Sequence, residues 1–194
     1  MIKVLQIGNP ILTKKSEDVY NTKNLKVQAI IDNMLDICYK KEKTTGGLSA
    51  PQIGINSKIC IIRRVDKEEK FLKNKKTISS KLNRRLWEVV INPKVLKIGK
   101  NKSFFWEGCL SVNHGKVFGP VKRPSLIKIQ YLNREGELKS ITAFDFFAHI
   151  MQHELDHLKG ILFVKYIKDP ENLWSSKNLD KYLDKNDEFP DIVS

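Results

Sequence analysis

His153-Glu154-Leu155-Asp156-His157 lies inside residues 143–159, a run whose apolar members (Ala143, Phe144, Phe146, Phe147, Ala148, Ile150, Met151, Leu155, Leu158) would occupy most of the circumference of a helix. Thr142 followed three residues later by Asp145 resembles a capping box, and Gly160 stands where a C′ glycine belongs. A helix so apolar is expected at the buried centre of the fold. Its polar residues, Gln152, His153, Glu154, Asp156 and His157, therefore require a reason. Positions i and i+4 of a helix differ by about 40° around the axis and about 6 Å along it. Both imidazoles would lean over one spot, which suits a divalent metal. Glu154 would sit beside that spot, placed to take a proton from water on the metal. The plainer reading, two surface histidines on a polar face, is weakened by how little polar face this helix has.

Two histidines do not complete a metal site. The pattern H-E-x-x-H-x-x-G-x-x-H is followed as far as Gly160, but its last position is Phe163. Glu171, 14 residues past His157 and beyond a strand candidate and a proline, offers poor geometry without being excluded. Cys109 is the better candidate. It lies in Glu107-Gly108-Cys109-Leu110-Ser111, where Gly108 permits close backbone approach and a thiolate binds a borderline-soft cation well. One cysteine and two histidines leave a position open, the arrangement of a catalytic site. Without the histidines, Cys109 would read as a small buried hydrophobe.

The whole chain has 194 residues with 41% hydrophobic and 29% charged side chains, proportions of one folded domain rather than a disordered chain. No apolar stretch approaches the roughly 20 residues that span a bilayer. The start, Met1-Ile2-Lys3-Val4-Leu5, is too short an apolar run for a signal peptide, so a cytoplasmic location is expected. The three cysteines, Cys38, Cys60 and Cys109, make a disulfide framework improbable. The formal charge is +13, and residues 63–85 hold ten basic against three acidic side chains, a net of +7. That segment is expected as an exposed, mobile basic loop, with an anionic surface as its functional alternative.

Apolar spacing predicts an amphipathic helix over 25–41 with Asn24 as N-cap, and strands over 58–65, 86–92, 126–133 and 138–141. Asn133-Arg134-Glu135-Gly136 should join the last two as a hairpin. Residues 161–167 could form a short strand and 171–185 a weaker helix, while the last nine residues have little to bury.

Three segments together resemble the peptide deformylase family. Thr45-Gly46-Gly47-Leu48-Ser49-Ala50-Pro51-Gln52-Ile53-Gly54 resembles the family's G-x-G-L-A-A-P-Q-x-G, and Glu107-Gly108-Cys109-Leu110-Ser111 and Gln152-His153-Glu154-Leu155-Asp156-His157-Leu158 resemble its second and third motifs. The likeness also takes in Ile7-Gly8-Asn9-Pro10, Ile91-Asn92-Pro93 and Gly160-Ile161-Leu162-Phe163, and covers roughly residues 2–168. It implies an α+β fold with antiparallel sheets around a central helix carrying the H-E-x-x-H. Residues 1–168 would be the catalytic domain, including a basic insertion at about 66–85, and 169–194 a helix and tail of the same domain.

The implied reaction is hydrolysis of the N-formyl group from the initiator methionine of nascent polypeptides, releasing formate. Cys109, His153 and His157 would hold one Fe²⁺ or Zn²⁺ ion. Glu154 would be the general base and then the acid. Gln52 and the backbone N–H of Leu110 would stabilise the oxyanion, and Gly47, Glu107 and Gly108 would contact substrate. Gln52 could also simply cap its turn. Thr45 and Ser49 depart from the common glycine and alanine, and Asn113-His114-Gly115-Lys116 from the residues usual after the second motif. His149 reads as a groove-wall or packing residue, and Gln152 and Asp156 as polar packing.

Two other readings compete. A zinc endopeptidase lacks the usual third ligand. A nucleic-acid-binding protein suits the charge, but Phe71 is the lone aromatic among the clustered cations, which is no stacking platform. Contact with the ribosome surface is compatible with deformylation as a secondary role, and a monomer is favoured.

Overall fold

The computed structural model describes residues 2–73 and 84–193. Strands β1 (Gly47–Ser49), β2 (Ile59–Arg63), β3 (Trp87–Ile98), β6 (Leu126–Leu132) and β7 (Leu138–Phe144) form one sheet in the order β1-β2-β3-β6-β7, with every neighbouring pair antiparallel. A second antiparallel sheet holds β4 (Lys102–Gly108), β5 (Val117–Pro124) and the two-residue β8 (Trp174–Ser175). Helix α1 (Leu25–Lys40), the short α2 (Val65–Lys73), α3 (Asp145–Leu158) and α4 (Ser176–Asn186) complete the main elements. Among the described residues, no helix is long and apolar enough to cross a membrane.

Alternation along β2 sends successive side chains to opposite faces of the sheet. Ile59 and Ile61 join Ile31, Met34 and Cys38 of α1 in one buried cluster. Cys60 and Ile62 join Phe147, Met151 and Leu155 of α3 in another. The unbroken apolar run is thus that of a strand covered on both sides, with one helix against each face.

Asn24 caps α1, its side chain accepting from the Lys26 N–H at 2.9 Å. Asn24→Ala should cost about 1 kcal/mol of stability, read as a lower urea midpoint at unchanged slope.

Several expectations need correcting. Thr142 does not cap the motif helix. Ala143 and Phe144 stay in β7, paired with Ile127 and Leu126, and α3 starts at Asp145 with no side-chain cap. The Asp145 N–H instead donates to Ser125 O at 2.8 Å, and its φ of +45° makes the sharp turn from strand to helix. Gly160 closes the helix as expected, at φ +75°, where a Cβ would strike the Thr13 carbonyl.

The first part of the expected basic loop is α2, because Asp66 and Glu68 in its first turn are held by Arg64 (2.8 Å) and Arg63 (2.7 Å). Residues 74–83 of that segment lie outside the described residues. Residues 161–167 are no strand but a 3-10 turn, Phe163–Tyr166, with Leu162 and Phe163 packed near Cys109. The last helix begins only at Ser176, since Trp174 and Ser175 pair with Phe118 and Val117 of β5. The final residues stay largely exposed, as expected, yet two of them are tied to the fold. Phe189 stacks on Trp106 with ring centroids 5.6 Å apart, and Asn172 holds both the N–H and the carbonyl of Val193.

Candidate metal centre and its pocket

Three distant segments converge on one point. The hairpin of β4 and β5 ends in Gly108, so Cys109 leaves the sheet beside α3, where His153 and His157 rise one turn apart. One ligand atom from each of Cys109, His153 and His157 lies within 4.8 Å of the others, and Cys109 Sγ is 3.3 Å from His157 Nε2.

These groups fit a cation. Burial pushes the His157 pKa well down, and the nearby His153 and Arg123 push it further, so the ring is the neutral base a ligand must be. At His153 burial acts in the same direction, but the Cys109 thiol and the Glu107 carboxylate outweigh it and favour positive charge there. His153 Nδ1 bonds Glu107 Oε2 at 2.9 Å, which leaves Nε2 for the metal.

Glu107, expected among the substrate contacts, is chiefly the partner of His153 and Arg123. Arg123 was missed by sequence reasoning. Its guanidinium donates to Glu107 at 2.5 and 3.0 Å and to Asp156 Oδ2 at 2.6 Å, and all three residues are buried. Tyr166 O–H also donates to Asp156, at 2.8 Å. Burial raises the cost of charge on Glu107, yet His149, His153 and Arg123 together hold its carboxyl well below the usual range. The chain of bonds Asp156 to Arg123 to Glu107 to His153 fixes the orientation of the His153 ring. A signal was available: Arg123 alternates with the exposed Lys122 and shares a strand face with buried Val121.

Glu154 is buried beside His153, and burial lifts its pKa to about 7 despite the opposing pull of His153 and a hydrogen bond from Ser49. A Cβ on Gly47 would lie 2.6 Å from Glu154 Oε1, so this glycine is required by the carboxylate itself. Gly108 likewise makes room for the Phe118 ring, which a Cβ would meet at 2.6 Å. Gln52 caps its turn, the plainer of the two roles expected of it. Its Oε1 accepts the Ser49 N–H at 2.8 Å, capping the turn, while Nε2 points to Cys109 Sγ at 3.5 Å and Ser111 Oγ at 3.2 Å.

The N-terminal strand-like segment pins these loops: Leu5 N–H donates to Gln52 O at 2.8 Å and Ile7 N–H to Ser111 O at 2.7 Å. Gln6 donates to Leu110 O at 2.9 Å and accepts from His114 N–H at 2.9 Å.

A pocket of about 190 Å³ opens onto the centre. Polar side chains of Gln52, Glu107, Cys109, His153 and Glu154 line it, together with apolar Phe105, Trp106, Leu110, Phe146 and Ile150. His149 lies in its wall, with Nε2 3.3 Å from Ser103 Oγ. Gln152 is polar packing, bonded to the carbonyls of Pro124 and Ala148; Asp156 is not, being part of the Arg123 network.

A buried H-E-x-x-H helix, a cysteine ligand from a separate hairpin and an adjoining apolar cleft define a metal-dependent hydrolase class. Residues 1–173 match the polypeptide deformylase family, and the chain belongs to it. A peptide deformylase 2 of Vibrio cholerae serotype O1 is 33% identical over 183 residues, covering 94% of this chain and 96% of that one. A peptide deformylase 2 of Clostridium perfringens is 36% identical over 168 residues, covering 86% and 93%. The Met-Ala-Ser-bound crystal structure of a class I type b peptide deformylase from Acinetobacter baumannii superposes with a TM-score of 0.69 at 27% identity, covering 86% of this chain and 98% of that one.

Proposed function

We propose that this chain hydrolyses the N-formyl group of formyl-methionyl polypeptides, with Cys109, His153 and His157 holding one Fe²⁺ or Zn²⁺ ion. The observation that carries the reading is the convergence of those three ligand atoms beside a pocket that Cys109 and His153 line together with Gln52, Glu154 and several aromatic side chains. The ion, when bound, supplies Lewis-acid chemistry: it makes water acidic enough to attack near neutral pH and polarises the formyl carbonyl.

The chain's own residues do the rest. Glu154 takes a proton from the attacking water and passes it to the departing amine nitrogen. Its raised pKa suits a group that must both accept and release a proton near neutral pH. Gln52 Nε2 and the Leu110 N–H donate to the oxygen on which negative charge develops. Gly47 and Gly108 keep side chains off the wall along which the peptide runs. Glu107 holds His153 and acts on substrate through it. The apolar side chains of the pocket, Phe105, Trp106, Phe146 and Ile150, suit a methionine side chain, and the Met-Ala-Ser-bound structure of the Acinetobacter baumannii relative supports a peptide ligand that begins with methionine.

The architecture reads as antiparallel sheets around the central H-E-x-x-H helix. Residues 1–168 make the catalytic domain and 169–194 a tail of the same domain, which the stacking of Phe189 on Trp106 supports. The protein would act as a cytoplasmic monomer on nascent chains. The net charge of +13 supports contact with the ribosome surface, which should appear as cosedimentation at low salt that fades as salt rises.

The test is formate release from a formyl-methionyl peptide beside casein digestion, before and after chelation. Chelation should abolish formate release and metal should restore it. Proteolysis without formate would establish the endopeptidase reading instead. Gln52→Ala should lower kcat by about 10²–10³-fold, as expected for loss of an oxyanion donor.

A further inference from the structure

We propose that Ser49 is a positioning residue that holds the Glu154 carboxylate in its working orientation. The inference rests on Glu154 being the general base. Ser49 is fully buried in β1, and its Oγ lies 2.8 Å from Glu154 Oε2 and 3.0 Å from the Glu154 backbone carbonyl. Among the described residues, no other side chain donates a hydrogen bond to that carboxylate. The opposite oxygen, Oε1, lies over Gly47 in the pocket wall.

The two oxygens therefore have different surroundings. One is tied to the strand behind the pocket, and the other faces the pocket itself. A glutamate side chain has three rotatable bonds, and a charge-assisted hydrogen bond to one oxygen restricts the direction of the other. The hydroxyl carries a single hydrogen between two acceptors of the same residue, so either bond it makes keeps Glu154 against β1. The backbone N–H of Ser49 meanwhile holds Gln52 Oε1 at 2.8 Å. One residue thus supports both the proton acceptor and the amide donor of the proposed reaction, from behind, without reaching the substrate.

The family's common motif has alanine at this position, so removing the hydroxyl should not threaten the fold. Ser49→Ala is expected to lower kcat for a formyl-methionyl peptide about tenfold, with KM changed less than about twofold and metal content unchanged. Ser49→Thr, which keeps the hydroxyl, should restore most of the loss. The decisive measurement is the double variant. On a Glu154→Gln background, Ser49→Ala should change the residual kcat less than about twofold, because the group it positions is gone.

Wild-type kcat in Ser49→Ala would overturn the proposal. So would a full tenfold loss persisting on the Glu154→Gln background, since the hydroxyl would then act independently of Glu154. Full activity of Glu154→Gln alone would overturn the assignment of the base, and this inference with it; a result confined to the Ser49 variants leaves that assignment standing. Melting temperatures of all variants separate lost positioning from lost folding.

Discussion

Glu154→Gln is expected to keep its metal and to lose roughly 10²–10⁴-fold in kcat, the usual span for removing a general acid-base group. Glutamine preserves the volume of the side chain, and its amide oxygen still accepts from Ser49, whose Oγ now lies 2.8 Å from Oε2. What disappears is the capacity to take up a proton. None of the atoms proposed to hold the metal is touched: those belong to Cys109, His153 and His157. The measurement is formate release beside metal content on the same preparations. A variant that keeps full activity would remove Glu154 from the chemistry, and one that loses its metal would show that the carboxylate has a second, structural duty.

The second large effect concerns stability. Arg123→Met removes the cation between Glu107 and Asp156 while keeping an apolar side chain of comparable length. Two buried carboxylates, 8% and 5% exposed, lose the cation they share, leaving Asp156 with the largely exposed Lys159 at 3.4 Å and Glu107 with His153 at 2.9 Å. Breaking a buried ion pair from one side typically costs about 3–5 kcal/mol. For this chain that corresponds to a melting temperature lower by roughly 10 °C. The loss should exceed that of Asp156→Asn, which keeps hydrogen-bonding atoms for Arg123 and Tyr166 and removes one of the negative charges. Metal affinity of Arg123→Met should fall as well, because Glu107 holds His153 Nδ1 at 2.9 Å and would lose its own anchor. Thermal unfolding and metal titration read the two consequences separately. Wild-type stability in Arg123→Met would show that the network relaxes by protonation of a carboxyl.

The elements that sequence reasoning found are those whose signal is local. β2 is a run of apolar residues, α1 has a 3.6-residue spacing and an asparagine cap, and the β6–β7 hairpin turns at Asn133 to Gly136. The two histidines on α3 were legible because i and i+4 share a helix face. β4 and β5 escaped notice because the aromatic stretch Phe104-Phe105-Trp106 mixes exposed and half-buried positions, and β5 contains Gly119, Pro120 and Pro124. The start of α3 was misplaced because Thr142 and Asp145 imitate a cap, whereas pairing of β7 with β6 holds the chain extended through Phe144. Arg123 was overlooked for a different reason. Its alternation with Lys122 marks a strand face but not a role, and its importance comes from carboxylates 16 residues before it and 33 after it. Cys109 became identifiable only through the pairing of motifs far apart in the chain, and Ser49 stood out as a departure without a purpose until Glu154 was found above it.

Leu5, Ile7 and Phe189 give both arms of the chain a stake in the pocket: the first two bond the Gln52 turn and the Ser111 loop, and the third stacks on Trp106 in the pocket wall. A protease that clips either arm would leave the sheets and α3 intact while loosening the Gln52 and Ser111 segments on one side or the Trp106 wall on the other. Trimmed molecules would then still fold and hold metal yet turn over poorly. An affinity tag joined directly to Leu5 or Phe189 would carry the same penalty, whereas a spacer beyond those residues would not.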